Sequence, residues 1–319
     1  MIRILANDGI HASGKTQLED AGYEVVTDKI PQEELPEKLP AFDVVIVRSA
    51  TKIRKDLIDV CPKLKVIARG GVGMDNIDVD YARSKGLAVV NTPAASSRSV
   101  AELAFGHMLS LTRFLHLSNR EMPSKGASEF KTLKKNFAGG SELHGKTLGI
   151  LGFGRIGQET ARIALGMGMK VLPVDLYVKE ATIDIKIFEL DHSSISVKLD
   201  TVDMAHMLKN SDYISTHVPF SGDKALVGSE EIEMMKDGVI LVNTARGGII
   251  GEDALLAGLE SGKIRAVGLD VFDNEPTPNA TLLNHPKISV SPHIGAATGE
   301  AQANIGKELA DQIIDHLGS

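Results

Sequence analysis

Only one of the 319 residues is a cysteine, Cys61, so an intrachain disulfide is impossible. That usage fits a reducing cytoplasm, and Cys61, which precedes Pro62, reads as a structural residue. Positive charge is also scarce: 35 Lys and Arg against 42 Asp and Glu leave a formal charge of −7. This balance argues against broad nucleic-acid or anionic-membrane binding, which needs a basic face. Any anionic ligand must instead be met by a few placed cations. No uncharged apolar run reaches membrane-spanning length. The most apolar stretch, Val100 to Leu117, carries Glu102, His107 and Arg113 and reads as a buried helix. Low-complexity segments and short internal repeats are missing. The first residues, Met1 to Asp8, read as a strand entering a loop and not as a signal peptide.

The apolar fraction of 43% and charged fraction of 24% are those of an ordinary globular protein. The chain is long for one hydrophobic core, so two domains are expected. Short apolar runs rich in β-branched residues alternate with amphipathic stretches. Ile2–Ala6, Glu24–Thr27, Val44–Val47, Val66–Ala68 and Ala88–Val90 form a first series of five strands. Thr147–Leu151, Lys170–Leu172, Tyr213–Ser215, Val239–Val242, Ala266–Leu269 and Ile288–Val290 form a second series of six. Strands alternating with helices imply an α/β fold of two doubly wound parallel sheets. A long helix is predicted from about Ser99 to Asn119, followed by a polar, Lys-rich segment from Lys125 to Asn136. The predicted domains are residues 1–97 and 98–291, with a cleft between them as the default ligand site. The final helix, Ala297 to Leu317, could belong to either.

Leu148-Gly149-Ile150-Leu151 runs directly into Gly152-Phe153-Gly154-Arg155-Ile156-Gly157, and a helical pattern follows. Such glycines permit a tight turn and close backbone approach, and the following helix offers unpaired N–H groups to a pyrophosphate. The spacing next requires an acid about 20 residues on, at the end of the second strand. Asp175 lies 18 residues after Gly157. Its carboxylate suits ribose hydroxyls and repels a 2′-phosphate, which points to NAD over NADP. Asp175 could also serve as a loop-end cap, and the nearby Lys179 softens the discrimination.

Three further segments follow apolar runs: Asn243 to Gly248, Asp270 to Pro276 and Ser291 to Ala296. Each places one ionisable residue just past its strand. Arg246 can hold a carboxylate bidentately and polarise a neighbouring carbonyl. His293 is the candidate acid/base, and Glu275 can hold it protonated. Taken singly, each is also what an ordinary surface turn presents. Their coincidence at successive strand ends points to oxidation or reduction of a 2-hydroxy or 2-oxo acid.

On these motifs the chain resembles the D-2-hydroxyacid dehydrogenase family over nearly all of residues 1–319, and within it the phosphoglycerate-oxidising branch. The resemblance implies a flavodoxin-like substrate domain, residues 1–97 plus 292–319, and a Rossmann NAD-binding domain, residues 98–291. It implies catalytic roles for Arg246, Glu275 and His293. It assigns cofactor contacts to Gly152, Gly154, Arg155, Ile156, Gly157, Asp175, Val218, Pro219, Thr244, Ala245, Asp270, Gly295 and Ala296, with Asp270 on the nicotinamide carboxamide. A formate dehydrogenase of the same superfamily pairs its histidine with glutamine, which Glu275 argues against.

Val47-Arg48-Ser49-Ala50-Thr51-Lys52 resembles the branch's phosphate-binding loop, with Arg48 as the cation. Arg69 to Asn76 resembles its carboxylate-binding loop, with the backbone of Val72 and Gly73 as donors. Arg48 could equally be a solvent-facing strand-end residue. Asn91-Thr92-Pro93 with Ser97 to Glu102 resembles the hinge and the start of the long helix. The expected substrate is a small phosphorylated hydroxy acid, with 3-phospho-D-glycerate, the substrate of the first step of serine synthesis, foremost. Glyoxylate, hydroxypyruvate or another 2-oxo acid is the alternative, and an NAD-sensing, non-enzymatic co-repressor of this fold is an alternative of another class. The resemblance further implies a homodimer in which Lys134 or Lys135 reaches the partner's active site, although these lysines also read as a solvated charge run. No metal is expected. Two departures stand out: the segment Leu176–Lys198 is longer than usual and has no functional account, and the chain ends at Ser319, so C-terminal regulatory domains and feedback through them are not expected.

Overall fold

The computed structural model describes residues 1–186, 193–220, 222 and 224–318. It divides into two compact units, residues 1–99 with 296–319, and residues 100–295. The elements of the first unit are β1 (Arg3–Ala6), α1 (Ala12–Asp20), β2 (Glu24–Val26), α2 (Leu35–Lys38), β3 (Val44–Val47), α3 (Lys55–Asp59), β4 (Val66–Arg69), α4 (Val79–Ser84) and β5 (Ala88–Asn91). Helix α5 (Ser97–Thr112) then carries the chain into the second unit. There follow α6 (Leu115–Asn136), β6 (Thr147–Leu151), α7 (Arg155–Gly166), β7 (Lys170–Val174), β8 (Glu180–Lys186) and β9 (Ser194–Asp200). The unit continues with α8 (Met204–Asn210), β10 (Tyr213–Thr216), α9 (Ser229–Met234), β11 (Val239–Asn243), α10 (Glu252–Ser261), β12 (Ile264–Leu269), α11 (Ala280–Asn284) and β13 (Ile288–Val290). The chain returns to the first unit as α12 (Gly299–Leu317).

The first sheet is parallel with strand order β2-β1-β3-β4-β5, the flavodoxin-like order. Its strands are apolar on both faces because both are covered. Leu5, Val45, Val47 and Ile67 enter one core, while Ile4, Val44, Ile46 and Val66 enter the other with Ile305, Leu309 and Ile313 of α12. Helix α12 packs against α1 at two glycines. A Cβ on Gly14 would lie 2.3 Å from Gly306 O, so any side chain there would force the helices apart. Cys61 is buried in the first of these cores, and burial pushes its thiol up to about 11, which leaves it unreactive at neutral pH.

The second sheet is parallel with strand order β13-β12-β11-β10-β6-β7. Alternate residues of one strand serve opposite cores: Val239 and Leu241 of β11 pack on one face, Ile240 and Val242 on the other. Among the described residues no strand lies outside β7, where the 3-2-1-4-5-6 order of the dinucleotide fold has one, and β13 is the sixth strand at the opposite edge. The chain that follows β7 instead forms the antiparallel hairpin β8–β9, with Ile183 buried. Its two strands fall largely in the long segment 176–198, of which residues 187–192 lie outside the described residues. The change of direction that makes a ligand crevice falls between β6 and β10.

The long helix predicted to Asn119 ends at Thr112. Phe114 takes a left-handed conformation, φ 56°, and a new helix starts at Leu115. Such a backbone costs about 1–3 kcal/mol and persists only where its surroundings hold it. Here the Phe114 ring meets Phe137 at 6.1 Å between centroids, and the Arg265 guanidinium lies 5.9 Å from it. The polar segment 125–136 is itself helical, with Leu133 buried and Lys134 and Lys135 exposed. Among the described residues no helix is long and apolar enough to cross a membrane.

Candidate active site

In the 100–295 unit, every sequence-predicted catalytic and cofactor residue follows the C-terminal end of a parallel strand, while Lys134 and Lys135 lie on α6. Strand β6 leads into the glycine turn. Gly152 has φ 98°, and a Cβ on Gly157 would lie 2.1 Å from Gly152 O, so the first turn of α7 seats directly on the loop. A Cβ on Gly154 would meet nothing within 4 Å. Gly154 is also the N-cap of α7 and offers no side-chain acceptor, which leaves the amides of Arg155, Ile156 and Gly157 to a ligand. Val218, in the turn after β10, packs against Gly152: a Cβ there would come within 2.8 Å of Val218 Cγ1. Pro219 beside it is exposed.

Asp175, after β7, accepts Phe153 N at 2.7 Å with one oxygen, and Tyr177 N at 2.8 Å and Val178 N at 3.0 Å with the other. Burial raises its pKa, but these three amides and Lys179 outweigh burial and hold the carboxyl below its ordinary range. It is therefore an anion fixed against the glycine turn. An open cradle at Gly154, uncapped helix amides and a fixed acid fit a dinucleotide.

Strand β11 ends at Asn243, whose side chain shapes the next turn. Its Oδ1 accepts Thr216 Oγ1 at 2.8 Å and Ala245 N at 3.0 Å, and its Nδ2 donates to Arg246 O at 2.7 Å. The Arg246 guanidinium donates to Ala245 O at 2.7 Å. The backbone of Gly247 presses on the turn after β12, since a Cβ there would lie 2.2 Å from Phe272 O. Arg246 and the Glu275 turn are thus packed backbone to backbone.

Glu275 accepts Phe272 N at 3.1 Å with Oε1 and meets His293 Nδ1 at 2.7 Å with Oε2. A carboxylate only accepts, so the imidazole carries a proton on Nδ1 and leaves Nε2 for a reacting group. His293 sits in the left-handed region, φ 53°. Its backbone N–H donates to Asp270 O at 2.8 Å. The Asp270 carboxylate, 0% exposed, accepts Ser291 Oγ at 2.6 Å, Ile294 N at 2.9 Å and Gly295 N at 2.8 Å. Asp270 therefore holds the turn that carries the histidine. A cavity of about 420 Å³ adjoins the pair, with Phe272, Pro276, Leu283 and Val290 in its wall.

In the other unit the loop after β3 is prebuilt. Asp8 accepts Arg48 N at 2.7 Å, Thr51 N at 3.0 Å and Thr51 Oγ1 at 2.7 Å. Asn76 Nδ2 donates to Arg48 O at 2.8 Å and Thr51 O at 2.6 Å. The loop after β4 turns at Gly71, φ 140°, and Val72 O accepts Asn91 Nδ2 at 2.6 Å, which fixes the backbone at Val72 and Gly73. Sequence reasoning did not single out Asp8, Asn76 or Asn243. Nothing local marks them: Asp8 and Asn76 bond backbone groups remote in the chain, and Asn243 is distinguished only by the partners its side chain meets.

The family described as D-isomer specific 2-hydroxyacid dehydrogenase, NAD binding domain, matches residues 105–295. The chain belongs to this family of NAD-dependent enzymes. It is 44% identical to a hydroxypyruvate reductase of Thermotoga maritima over 92% of this chain and 91% of that one. It is 41% identical to a D-3-phosphoglycerate dehydrogenase of Methanocaldococcus jannaschii over 98% of this chain and 57% of that one. The chain thus spans little more than half the length of the phosphoglycerate dehydrogenase it matches. Among solved structures, the holo form of the D-mandelate dehydrogenase of Rhodotorula graminis superposes with a TM-score of 0.84 at 26% identity, covering 98% of this chain and 93% of that one. The family implies NAD, and the glycine turn, helix terminus and Asp175 described above are what such a cofactor requires.

Proposed function

We propose that this dehydrogenase oxidises 3-phospho-D-glycerate to 3-phosphooxypyruvate with NAD, the first step of serine synthesis. The observation that carries the chemistry is the 2.7 Å bond between His293 Nδ1 and Glu275, which leaves Nε2 free to take the hydroxyl proton. Glu275 then stabilises the imidazolium by charge and hydrogen bond. Arg246 holds the substrate carboxylate and orients the carbon that is oxidised. Gly152 to Gly157, Asp175, Val218, Pro219, Thr244, Ala245, Asp270, Gly295 and Ala296 hold the cofactor. Bound NAD supplies the acceptor for the hydride that leaves the substrate carbon.

The 1–99 and 296–319 unit is the substrate domain in this reading. Arg48, on a loop clamped by Asp8 and Asn76, meets the phosphate, and the Val72–Gly73 backbone meets the carboxylate. Arg48→Ala should raise KM for the phosphorylated acid at least about tenfold, the scale of one charge-assisted contact, and leave unphosphorylated 2-oxo acids nearly unchanged. Equal losses on both would remove the phosphate assignment. The enzyme is further proposed to act as a cytoplasmic homodimer, with Lys134 or Lys135 directed toward the partner's site. Light scattering of a monomeric mass would end that part.

A second reading, reduction of hydroxypyruvate or glyoxylate, is favoured by the 44% identity to a hydroxypyruvate reductase of nearly equal length. A panel of hydroxy acids with NAD and 2-oxo acids with NADH separates the two.

A further inference from the structure

His107 lies on α5, far in sequence from the histidine turn, and is 5% exposed. Its ring is seated against β12 where there is no side chain: a Cβ on Gly268 would lie 2.6 Å from His107 Cβ and 2.9 Å from Cγ. Both ring nitrogens are engaged, Nδ1 with Ser289 Oγ at 3.0 Å and Nε2 with Ser291 Oγ at 2.9 Å. The direction of these bonds is determined. Ser291 has one hydroxyl proton, and it goes to Asp270 Oδ1 at 2.6 Å because a carboxylate only accepts. Ser291 Oγ must therefore accept from His107 Nε2–H. Burial, the largest influence, favours the neutral ring, with Asp270 opposing and His116 reinforcing. In the neutral ring, with the proton on Nε2, Nδ1 accepts from Ser289 Oγ.

We propose that His107 and Ser291 are positioning residues for His293, acting through Asp270. The chain Ser289 to His107 to Ser291 to Asp270 orients one carboxylate oxygen. That carboxylate holds the amides of Ile294 and Gly295, and the Asp270 carbonyl holds the amide of His293. Four bonds to one aspartate maintain the left-handed backbone at His293, which an ordinary turn would relax. Loss of the Ser291 hydroxyl or of its donor leaves the wholly buried Asp270 carboxylate short of a partner, held by the amides of Ile294 and Gly295 alone. The turn would then shift, and with it the Nε2 that faces the substrate.

This inference rests on the reading of His293 as the acid–base group, and the test separates the two. The imidazole ¹⁵N shifts of His293, read through its carbon-bound protons, report the bond to Glu275 without any turnover. They should move in Ser291→Ala and His107→Leu and return in Ser291→Thr, which keeps a hydroxyl. In steady state, Ser291→Ala should lower kcat by about 10- to 100-fold, the scale of a slightly misplaced catalytic group, with KM changed less than about threefold. The double variant should lose no more than the worse single one, because both act along one chain. Ser291→Ala removes a single buried oxygen and guards against His107→Leu failing to fold. Unchanged His293 shifts in Ser291→Ala would overturn the positioning claim whatever the rates. Moved shifts in a protein that turns over no hydroxy or oxo acid would sustain positioning and overturn the acid–base reading instead.

Discussion

Acidification from pH 7 to 5 should weaken the 100–295 unit through histidines that fold in the neutral form. His217 follows β10, and its Nε2 lies 2.9 Å from Ser215 Oγ and 3.1 Å from Thr160 Oγ1. Thr160 donates its own proton to Ile156 O at 2.9 Å, so it accepts from Nε2, and the ring carries its single proton there. Nδ1 is buried with no hydrogen-bond partner, so a second proton would be neither shared nor solvated. Burial accordingly pushes this histidine down to about 3.

The unfolded chain takes up that proton near pH 6.5 and the folded chain does not. Stability present above pH 6.5 is therefore lost as the pH falls toward 3, with a slope approaching about 1.4 kcal/mol per pH unit. By pH 5 the loss from His217 is about 2 kcal/mol. His107, also lowered by burial, adds a loss of the same sign. Urea unfolding at pH 7, 6 and 5 measures the slope, and His217→Asn should flatten it by about one proton's worth. A His217 ring resonance titrating near pH 6 in the folded protein would refute the reasoning, as would equal slopes in the two proteins.

Two further substitutions probe the glycine turn. Gly157→Ala places a carbon 2.1 Å from Gly152 O and should cost about 1–3 kcal/mol of stability and at least tenfold in NADH affinity by fluorescence titration. Gly166→Ala, at the end of the same helix with nothing within 4 Å of its Cβ, should leave both nearly unchanged. Asp175→Asn removes the anion while keeping one acceptor oxygen for Phe153 N, and should weaken NADH about tenfold while narrowing its advantage over NADPH. An unchanged cofactor ratio would mean that Asp175 acts only on the loop.

The strands central to the two parallel sheets were legible because they are buried on both faces and so read as short β-branched runs. Val44–Val47, Thr147–Leu151 and Ile288–Val290 coincide with their predicted limits. What lay outside the sequence pattern was decided by partners remote in the chain. Nothing local marks Phe114 as a helix break, since Phe137 and Arg265 hold it. Helix α6 buries little of its surface, so its polar composition read as an arm. The hairpin β8–β9 replaces an outer strand that the fold leads one to expect, and its alternating pattern alone does not say which sheet it joins. At the site, Arg246, Glu275 and His293 were visible as ionisable residues just past strands. The residues that shape their turns were not, because Asn243, Ser291 and His107 are identified only by what they touch.

The central claim is that His293, held by Glu275, moves the proton of a 2-hydroxy acid oxidised with NAD. Absorbance at the NADH band, followed for the wild-type chain and His293→Gln over a panel of D-2-hydroxy acids at alkaline pH, tests it most directly. NADH formation should be strongest with 3-phospho-D-glycerate and should fall at least about a hundredfold in kcat in the variant, the upper range of acid–base contributions, while NADH affinity is retained. A His293→Gln protein that keeps the wild-type rate, or a wild-type protein that binds NADH and oxidises none of the panel, would contradict it.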